Sequence, residues 1–592
     1  MSSIDTVALE KRVDALFAKY ARAGSPGAAV GIMRDGAILL AKGYGEASVE
    51  HRVPITPRTV FRIASVTKQF TVAAILMLAR EGKLSLDDPP QKYLPDLPTL
   101  PHPVTIDQLA RNNSGWPDFL ELLRLGGSNL DRPSRLEDLV GAINRNKHLN
   151  FEPGSRFLYS NTNFLLLGLI VEKITGKPLG DFLKERIFTP LGMTSTALTP
   201  DLDTIVPGLA TSYLDNNDGS FRRARHGYPL TGEGGLVSTV EDLLIWANHY
   251  RHPVLRPTDL WADLADQQPL TGGVLNPYCR GLVRGTLRGL TAISHGGLWP
   301  GYRTEFLRLP DAGLDVVVIA NLASLDPHRL GRAAALAALA GDARVQPAHP
   351  IDLAEVTRYA GTYVNEAELT LFGIDVKNGE VILTQGGVPM EMIARGDGWL
   401  EADRGAFEFA LRLPKSPGEP IEGDLGAGRV FAFRKLVPRD TIPPDIAGTY
   451  FCADAGATWR IDGKQIEVSG PYVASTAPWP LRGVAGDVVE IEMSYGWVTI
   501  TQLARLERDA SGKPKGLTVS TSRIKNIRFE KVSSSSRARA KDLAVVRMDT
   551  EQVRDRTTAR SFARAQDDGR SFENTIASSR TVPYFRLKRS RA

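Results

Sequence analysis

A serine and a lysine stand three residues apart, Ser65 and Lys68, in the stretch "FRIASVTKQFTVAAILML" from Phe61 to Leu78. The residues from Phe70 onward are apolar almost all round, which predicts a buried helix whose start is capped by Ser65. Side chains three positions apart share one helix face, with about 5–6 Å between their β-carbons. The spacing therefore predicts that the Lys68 amine lies beside the Ser65 hydroxyl.

This pair has the chemistry of a nucleophile and its base. A serine hydroxyl attacks poorly unless a neighbouring group takes its proton, and burial can lower a lysine pKa by as much as about 3–5 units. The N–H groups and dipole of a helix start suit the oxyanion of an acyl-transfer intermediate. The alternative is a helix cap beside a lysine that reaches to solvent. Ser522 and Lys525 repeat the spacing, but in strand-patterned sequence, where residues three apart face opposite sides.

Two further motifs favour chemistry at Ser65. The first, Tyr159-Ser160-Asn161, precedes an apolar helical run, and the second, His295-Gly296-Gly297, lies where a strand is predicted. Tyr-x-Asn also occurs at residues 363–365, but no His-x-Gly follows it there. A phenol, an amide and an imidazole thus join the serine and the lysine as candidate site groups.

As a set, the S-x-x-K, Y-S-N and H-G-G motifs resemble those of the penicillin-recognising serine hydrolases, the superfamily of class C β-lactamases and DD-peptidases. Neighbouring phrases such as "RNNSGWPDF" and "RIFTPLGM" fit as well, over residues 8–340. The histidine in the third motif and the β-rich sequence that follows are most similar to the D-aminopeptidase branch. That similarity extends the resemblance to residue 532.

The resemblance implies roles for five residues. It makes Ser65 the acyl nucleophile, Lys68 and Tyr159 the proton-transfer pair, and Asn161 and His295 positioning or electrostatic groups. A tyrosine that acts as a base near neutral pH needs its pKa lowered by about 3 units, so we expect cations from Lys68 and a charged His295 beside Tyr159. This covalent route implies no cofactor, and the sequence contains no motif that predicts a metal site.

The resemblance also implies an oxyanion hole. The backbone N–H groups of Ser65 and Leu298 would form it, and Gly296 and Gly297 would let the substrate backbone approach closely.

Four side chains are candidates for substrate binding. Glu233, in a Gly-rich turn, would bind the ammonium of an aminopeptidase substrate, or else be a solvated turn carboxylate. Arg303 would hold a carboxylate or carbonyl, or pair on the surface. In the D-aminopeptidase branch a loop of the last barrel enters the active site, and the corresponding segment here is 468–481. Its Tyr472 and Trp479 would narrow the cleft, or would pack within the barrel.

The elements that must position these groups change along the chain. Residues 1–345 alternate strand-like and helical runs, which predicts an α/β (α+β) domain with a mixed, largely antiparallel sheet, and the turn Arg34–Gly36 marks a hairpin. Residues 351–440 and 441–532 contain short strands and turns, and each opens with Ala-Gly-Thr-Tyr. This repeat predicts two small antiparallel β-barrels.

The net charge of +5 does not indicate nucleic-acid binding by the folded part. Residues 533–592 hold 14 Lys and Arg against 7 Asp and Glu, so the remainder is close to neutral, and this basic tail has too few apolar residues to fold. The two cysteines, Cys279 and Cys452, are expected to stay free in a reducing cytoplasm. The first residues lack a signal-peptide pattern and the apolar runs are too short to span a membrane, so we expect a cytoplasmic protein. A homodimer is implied by the resemblance alone.

These observations give one leading hypothesis and three alternatives. The leading hypothesis is a hydrolase that releases N-terminal D-residues such as D-Ala from small peptides, amides or esters through a Ser65 acyl-enzyme. The same machinery would serve a β-lactamase or DD-carboxypeptidase, or a carboxylesterase. A non-catalytic protein whose β-domains bind peptide or glycan is the fourth reading, and the intact motifs argue against it.

Overall fold

The computed structural model describes residues 5–532 apart from 130, 132, 217, 257–258, 403–408, 417, 427–428, 438, 474–476 and 495–497. The chain up to Val532 forms one compact unit. The tail at 533–592, predicted to be disordered, lies outside the described residues.

The first part of this unit, here called the N-terminal domain, surrounds one central sheet with helices. Its helices are α1 Thr6–Phe17, α2 Lys68–Arg80, α3 Ile106–Ala110, α4 Phe119–Leu125, α5 Leu136–Arg145, α6 Asn161–Thr175, α7 Leu179–Leu183, α8 Thr189–Leu191, α9 Val240–His249, α10 Leu260–Leu264 and α11 Pro327–Ala338, and α12 Leu353–Arg358 follows the domain. Its strands are β1 Ala28–Arg34, β2 Ala37–Tyr44, β3 Glu46–Ser48, β4 Val53–Pro54, β5 Phe61–Arg62, β6 Ala197–Leu198, β7 Tyr213–Asp215, β8 Phe221–Arg223, β9 Leu236–Ser238, β10 Val283–Leu287, β11 Leu290–Trp299, β12 Tyr302–Leu309 and β13 Leu314–Ala320.

The central sheet has the strand order β10-β11-β12-β13-β1-β2, and every neighbouring pair is antiparallel. The prediction of a largely antiparallel sheet is confirmed. Asp35 and Gly36 join β1 to β2 with φ of 50° and 85°. Positive φ at both central residues is typical of the tight type I′ hairpin turn that the sequence predicted there.

Both faces of this sheet are buried. Alternate residues of β1 enter two separate cores, because Ala29 and Met33 join the core that surrounds α2, whereas Val30 and Ile32 join the core beneath α1 and α11. Helix α2 lies in the first core, and its residues are buried from Lys68 to Leu78. The prediction of a central buried helix is therefore confirmed.

Two closed antiparallel barrels follow the N-terminal domain, as the sequence predicted. Barrel B consists of β14 Gly361–Asn365, β15 Thr370–Lys377, β16 Glu380–Gln385, β17 Val388–Ala394, β18 Trp399–Ala402, β19 Ala410–Arg412, β20 Ile421–Asp424 and β21 Val430–Lys435. Barrel C consists of β22 Gly448–Cys452, β23 Ala457–Ile461, β24 Gln465–Ser469, β25 Trp479–Ala485, β26 Val488–Ser494, β27 Thr499–Arg508, β28 Pro514–Ser520 and β29 Ile527–Lys531. In each barrel the first strand pairs with the last, which closes the sheet.

The repeated Ala-Gly-Thr-Tyr has the same structural use in both barrels. In barrel B the Tyr363 hydroxyl donates to the carbonyl of Tyr359 at 2.8 Å, and in barrel C the Tyr450 hydroxyl donates to the carbonyl of Ile446 at 2.6 Å. Each tyrosine thus ties the first strand of its barrel to the chain four residues earlier.

Barrel C is joined to the N-terminal domain through α4. Leu122 and Leu125 of this helix enter the apolar core of the barrel, and the Trp459 indole N–H donates to the Leu125 carbonyl at 3.0 Å. The same helix contributes other residues to the site described below, so barrel packing and site geometry are linked.

Three further features bear on the classes of protein considered above. Among the residues with a described placement, no helix is both long and apolar enough to cross a bilayer. In that same part of the chain, no three His, Cys, Asp or Glu side chains are grouped to hold a metal ion. Cys279 and Cys452 are free and buried, and burial raises the pKa of both thiols.

Candidate active site

Ser65 lies in a tight 3-10 turn, Ala64–Thr67, directly before α2. Ala64 has a left-handed φ of 48°, a conformation that costs a non-glycine residue energy and is found most often at functional sites. The prediction that Ser65 caps the helix is wrong, because α2 begins only at Lys68 and neither helical segment has a side-chain cap. The hydroxyl instead accepts a hydrogen bond from the Lys68 amine.

The Lys68 amine is held by three oxygens in the interior of the domain. It donates to Ser65 Oγ at 3.0 Å, to Asn161 Oδ1 at 2.9 Å and to the Glu233 carbonyl at 2.5 Å. Burial lowers the pKa of this amine to about 7. A fraction of Lys68 is therefore neutral at neutral pH and able to accept the proton of the adjacent hydroxyl.

Tyr159 lies in the loop that enters α6, as the sequence predicted, and Asn161 is the first residue of that helix. The centroid of the Tyr159 ring lies 4.9 Å from Lys68 Nζ. The buried Asp118 carboxylate accepts hydrogen bonds from the Asn161 backbone N–H at 2.8 Å and from its side-chain amide at 2.9 Å. This double contact turns the Asn161 carbonyl oxygen toward the lysine.

Asn112 fixes the same loop from the other side. Its φ of 52° is left-handed, and its side-chain oxygen accepts from the Ser160 backbone N–H at 3.1 Å and from the Asn163 amide at 2.9 Å. The phrase "RNNSGWPDF" therefore acts by positioning, because both Asn112 and Asp118 belong to it.

The pKa of Tyr159 moves in the opposite direction from the sequence-based expectation. Burial raises the pKa of this phenol above its ordinary value, and the nearby Arg523 and a hydrogen bond with Ser65 offset only part of the shift. The expectation of a lowered pKa is wrong, because desolvation of the phenolate outweighs the effects of Arg523 and Ser65. Tyr159 is a protonated phenol at neutral pH.

His295 lies on β11 and is neutral. Its Nε2 is 2.9 Å from the Tyr278 hydroxyl and its Nδ1 is 2.7 Å from the Gly296 carbonyl, so Nδ1 is the nitrogen that donates. Burial, with the nearby Lys68 charge, lowers the pKa of the imidazole to about 3. The expectation of a charged His295 is wrong for the same physical reason as for Tyr159. The imidazole packs 6.1 Å from the Tyr159 ring, measured between ring centroids.

The two glycines of the third motif differ in how much space they need. A Cβ on Gly297 would lie 2.3 Å from the Ile63 carbonyl oxygen, whereas one on Gly296 would meet nothing closer than Glu305 Oε2 at 3.5 Å. Only a glycine at 297 allows β11 to approach the turn that carries Ser65. Leu298 follows directly on the same strand, with a side chain that is 53% exposed.

Glu233 lies beside the lysine and is 1% exposed. Its Oε2 accepts from the Thr231 hydroxyl at 2.8 Å and from the Thr231 backbone N–H at 3.2 Å. Its Oε1 is buried and has no hydrogen-bond partner among the described residues. Burial raises the pKa of this carboxyl, so the reading of Glu233 as a solvated turn carboxylate is wrong.

Arg303 lies at the start of β12 and lines the same cavity. Its Nη1 donates to the carbonyls of Trp299 at 2.9 Å and Tyr302 at 2.8 Å. The guanidinium thus secures the turn between β11 and β12, which supports the strand that carries His295.

Tyr472 and Trp479 do not line the cavity, so their predicted contact with substrate is wrong. The Tyr472 hydroxyl accepts from Arg145 Nη1 at 3.0 Å, at the surface of α5. Trp479 is buried in the core of barrel C, where its ring meets that of Trp459 edge to face at 5.8 Å. Residues 474–476 of the segment 468–481 lie outside the described residues.

A different part of barrel C reaches the site, the 521–526 loop between β28 and β29. The Arg523 guanidinium carbon lies 4.9 Å from the centroid of the Tyr159 ring, and its Nη1 lies 3.7 Å from Asp118 Oδ2. Asn150 of the N-terminal domain holds this loop, since its amide donates to the Arg523 carbonyl at 3.3 Å. The loop contains the repeat of the Ser-x-x-Lys spacing, at Ser522 and Lys525, so the prediction that these two residues lie in a strand is wrong.

Sequence reasoning missed Arg523, Asp118 and Tyr278. No motif marks Arg523, which enters the site only because barrel C packs against the N-terminal domain. Asp118 had a detectable signal, because an aspartate directly before an apolar helical run is a typical N-cap, and Asp118 does cap α4.

Ser65, Tyr159, Asn161, Glu233 and His295 line one cavity of about 700 Å³. Its walls come from three parts of the chain: the N-terminal domain supplies Ser65, Tyr159 and Glu233, barrel B supplies Arg429, and barrel C supplies Arg523. The volume lies in the range of pockets that hold ligands of several hundred daltons.

Comparisons with known proteins give the relatives of this chain. The family model described as Beta-lactamase matches residues 13–340. A D-aminopeptidase of Gluconobacter oxydans is 32% identical over 321 residues, which are 54% of this chain and only 60% of that protein. A D-aminopeptidase of Brucella melitensis is 29% identical over 398 residues, or 67% of this chain and 74% of that protein. The octameric penicillin-binding protein homologue from Pyrococcus abyssi aligns with a TM-score of 0.52 at 25% identity, over 73% of this chain and 100% of that one.

Proposed function

Because the chain belongs to the beta-lactamase family, we propose that it is a serine hydrolase that releases N-terminal D-amino acids, D-Ala above all, from small peptides, amides or esters. The observation that carries the proposal is the contact between a buried amine, with its pKa lowered to about 7, and the Ser65 hydroxyl 3.0 Å away. The two D-aminopeptidase relatives support the class of substrate.

Acylation begins with the neutral form of Lys68. Its amine accepts the hydroxyl proton while Ser65 Oγ bonds to the substrate carbonyl carbon, and the carbonyl oxygen becomes an oxyanion. The backbone N–H groups of Ser65 and Leu298 stabilise that oxyanion. These two groups belong to the turn after Ile63 and to β11, which come close together because Gly297 has no Cβ. A lysine pKa near the working pH is the condition under which this proton transfer is efficient.

Tyr159 passes the proton to the leaving group. Its phenol is protonated and lies close to Ser65, so it donates to the leaving nitrogen or oxygen and regains a proton from Lys68. The bond between the carbonyl carbon and the leaving group then breaks, and the acyl group stays on Ser65. Water attacks the ester by the reverse sequence of proton transfers, which frees the amino acid. Neutral His295 acts as a positioning residue, through Tyr278 and its packing on Tyr159.

Glu233 recognises the substrate ammonium in this proposal. An ammonium placed in the cavity gives Oε1 of the buried carboxylate the partner that it lacks among the described residues. Replacing Glu233 with Gln is therefore expected to lower kcat/KM for D-Ala-p-nitroanilide far more than for p-nitrophenyl acetate, which has no ammonium. Glu137→Gln, on an exposed glutamate of α5, is the matched control. Equal losses for both substrates would remove Glu233 from ammonium recognition.

Four substrates test the function as a whole: D-Ala-p-nitroanilide, L-Ala-p-nitroanilide, nitrocefin and p-nitrophenyl acetate. The expected result is turnover of the D-anilide well above that of the L-anilide, and its loss in Ser65→Ala. Turnover confined to the acetate would make the protein a carboxylesterase, and turnover of nitrocefin would make it a β-lactamase. Binding of the D-anilide without any hydrolysis would indicate a non-catalytic binding protein.

A further inference from the structure

A cluster of cations lies where the N-terminal domain and the two barrels meet. Arg429 Nη2 pairs with Glu368 Oε2 at 3.1 Å within barrel B. Lys525 of barrel C and Arg156 of the N-terminal domain are close enough to Arg429 or Glu368 to act on their charges. The three cations thus lie near two carboxylates, Glu368 and Asp424, so the cluster has an excess of one positive charge.

Lys525 lines the cavity that contains Ser65, and within the described part of the chain its ammonium makes no hydrogen bond or ion pair. Burial lowers the pKa of Lys525 to about 8; Glu368 opposes this shift, and the neighbouring Arg429 and Arg156 add to it. An anion bound beside this amine would relieve the repulsion among the three cations.

Two hydrogen bonds from the N-terminal domain hold the backbone around Lys525 in place. The Asn150 side-chain oxygen accepts from the Lys525 backbone N–H at 2.8 Å, while the amide of the same side chain donates to the Arg523 carbonyl at 3.3 Å. Lys525 is two residues from Arg523, so their Cα atoms are at most about 7 Å apart. Arg523 already touches the Tyr159 ring, which puts the cluster within the length of a short peptide from the reacting serine.

We propose that Lys525 and Arg429 form a subsite for the free C-terminal carboxylate of a short peptide whose N-terminal residue is cleaved at Ser65. The inference rests on the proposed function and names its substrate class: oligopeptides with a free carboxylate, in preference to amino acid amides. The substrate ammonium lies at Glu233 and its carboxylate at the junction of the three domains. The two barrels then select substrates by the charge at the far end of the peptide.

The test compares one peptide in two forms, D-Ala-Gly-Gly and its C-terminal amide D-Ala-Gly-Gly-NH2. The parent is expected to hydrolyse the free acid with the higher kcat/KM. In Lys525→Gln the ratio of acid to amide should fall about tenfold, because a charge-assisted hydrogen bond is lost. Taking the ratio within one variant cancels any general loss of folding or activity. Lys525→Arg should keep most of the preference, and Lys513→Gln, on an exposed lysine of barrel C, should keep all of it.

Two results separate failure of the subsite from failure of the proposed function. An acid-to-amide ratio that is the same in the parent and in Lys525→Gln, with Ser65-dependent cleavage of D-Ala-p-nitroanilide intact, overturns the subsite alone. Absence of hydrolysis for every D-Ala substrate overturns both. Calorimetric titration of Ser65→Ala with the two peptides gives a readout without turnover, in which the acid should bind more tightly than the amide, and Lys525→Gln in that background should abolish the difference.

Discussion

Replacing Arg523 with glutamine is expected to move the acid limb of the pH profile of kcat/KM to higher pH by about half to one unit. The limb reports the deprotonation of Lys68, whose pKa burial lowers to about 7. Arg523 adds to that lowering because a second cation nearby disfavours a protonated amine. Without it, Lys68 holds its proton more tightly, and the Asp118 carboxylate loses a compensating charge 3.7 Å away, which acts in the same direction.

The magnitude follows from two distances. Arg523 Cζ and Lys68 Nζ each lie 4.9 Å from the centroid of the Tyr159 ring. The two charges are therefore at most about 10 Å apart, and at an effective dielectric constant of about 20 they repel by about 1.7 kcal/mol or more. The Arg523 side chain is 22% exposed, so solvent screens part of this repulsion and reduces the shift to about half to one unit.

The assay is kcat/KM for D-Ala-p-nitroanilide between pH 5 and 10. In Arg523→Gln, kcat/KM should be about two- to fivefold lower than in the parent at pH 7 and should approach the parent value above pH 9. Arg523→Lys, which keeps the charge, should retain the parent limb, and Arg528→Gln, on an exposed residue of β29, should leave it unmoved. A loss of equal size at every pH would refute the electrostatic account and assign Arg523 to packing.

Three further predictions concern stability. Gly297→Ala should lower the free energy of unfolding by about 1–3 kcal/mol, because its Cβ would lie 2.3 Å from a backbone oxygen. Gly296→Ala should lower it less, and equal losses for the two variants would contradict the importance of the close approach at Gly297. Leu125 is fully buried where α4 contacts barrel C, so Leu125→Ala should lower the free energy of unfolding, measured by urea denaturation, by about 2–5 kcal/mol. The exposed Val437→Ala should lower it by under about 0.5 kcal/mol. Similar values for the two variants would mean that the contact does not stabilise the fold. Burial lowers the pKa of His226 to about 3. Below pH 6.5 the unfolded chain therefore binds a proton that the folded chain does not, and the free energy of unfolding decreases as the pH decreases from about 6.5 toward 3. His226→Gln should remove about 1–2 kcal/mol of the loss between pH 7 and pH 5, and an unchanged loss would show that His226 is protonated in the folded state.

The family, the fold and the main site residues could be predicted because short segments determine them. Three positions along a helical start bring Lys68 to Ser65 regardless of what packs around them, and the resemblance to the serine hydrolases is confirmed by the family match. The two barrels were predictable from repeated strand and turn patterns. Each of these inferences starts from a pattern within a short segment of the sequence.

The protonation states and the contribution of barrel C could not be predicted in this way. Desolvation decides both the neutral state of His295 and the raised pKa of Tyr159, and it depends on how completely distant segments cover them. Which loop of a barrel faces the cleft depends on how the whole barrel docks. The docking of α4 into barrel C brings Arg523 to the site and leaves Tyr472 and Trp479 outside the cavity.

The central claim is that the substrate acyl group passes onto Ser65. Mass spectrometry of the intact protein, acid-quenched during turnover of a D-Ala p-nitrophenyl ester, tests it most directly. We predict an adduct of one alanyl group, located by peptide mapping to Ser65 and absent from Ser65→Ala, which should also release no p-nitrophenol above the uncatalysed rate. Undiminished p-nitrophenol release by Ser65→Ala, or an adduct on another residue, would contradict the account.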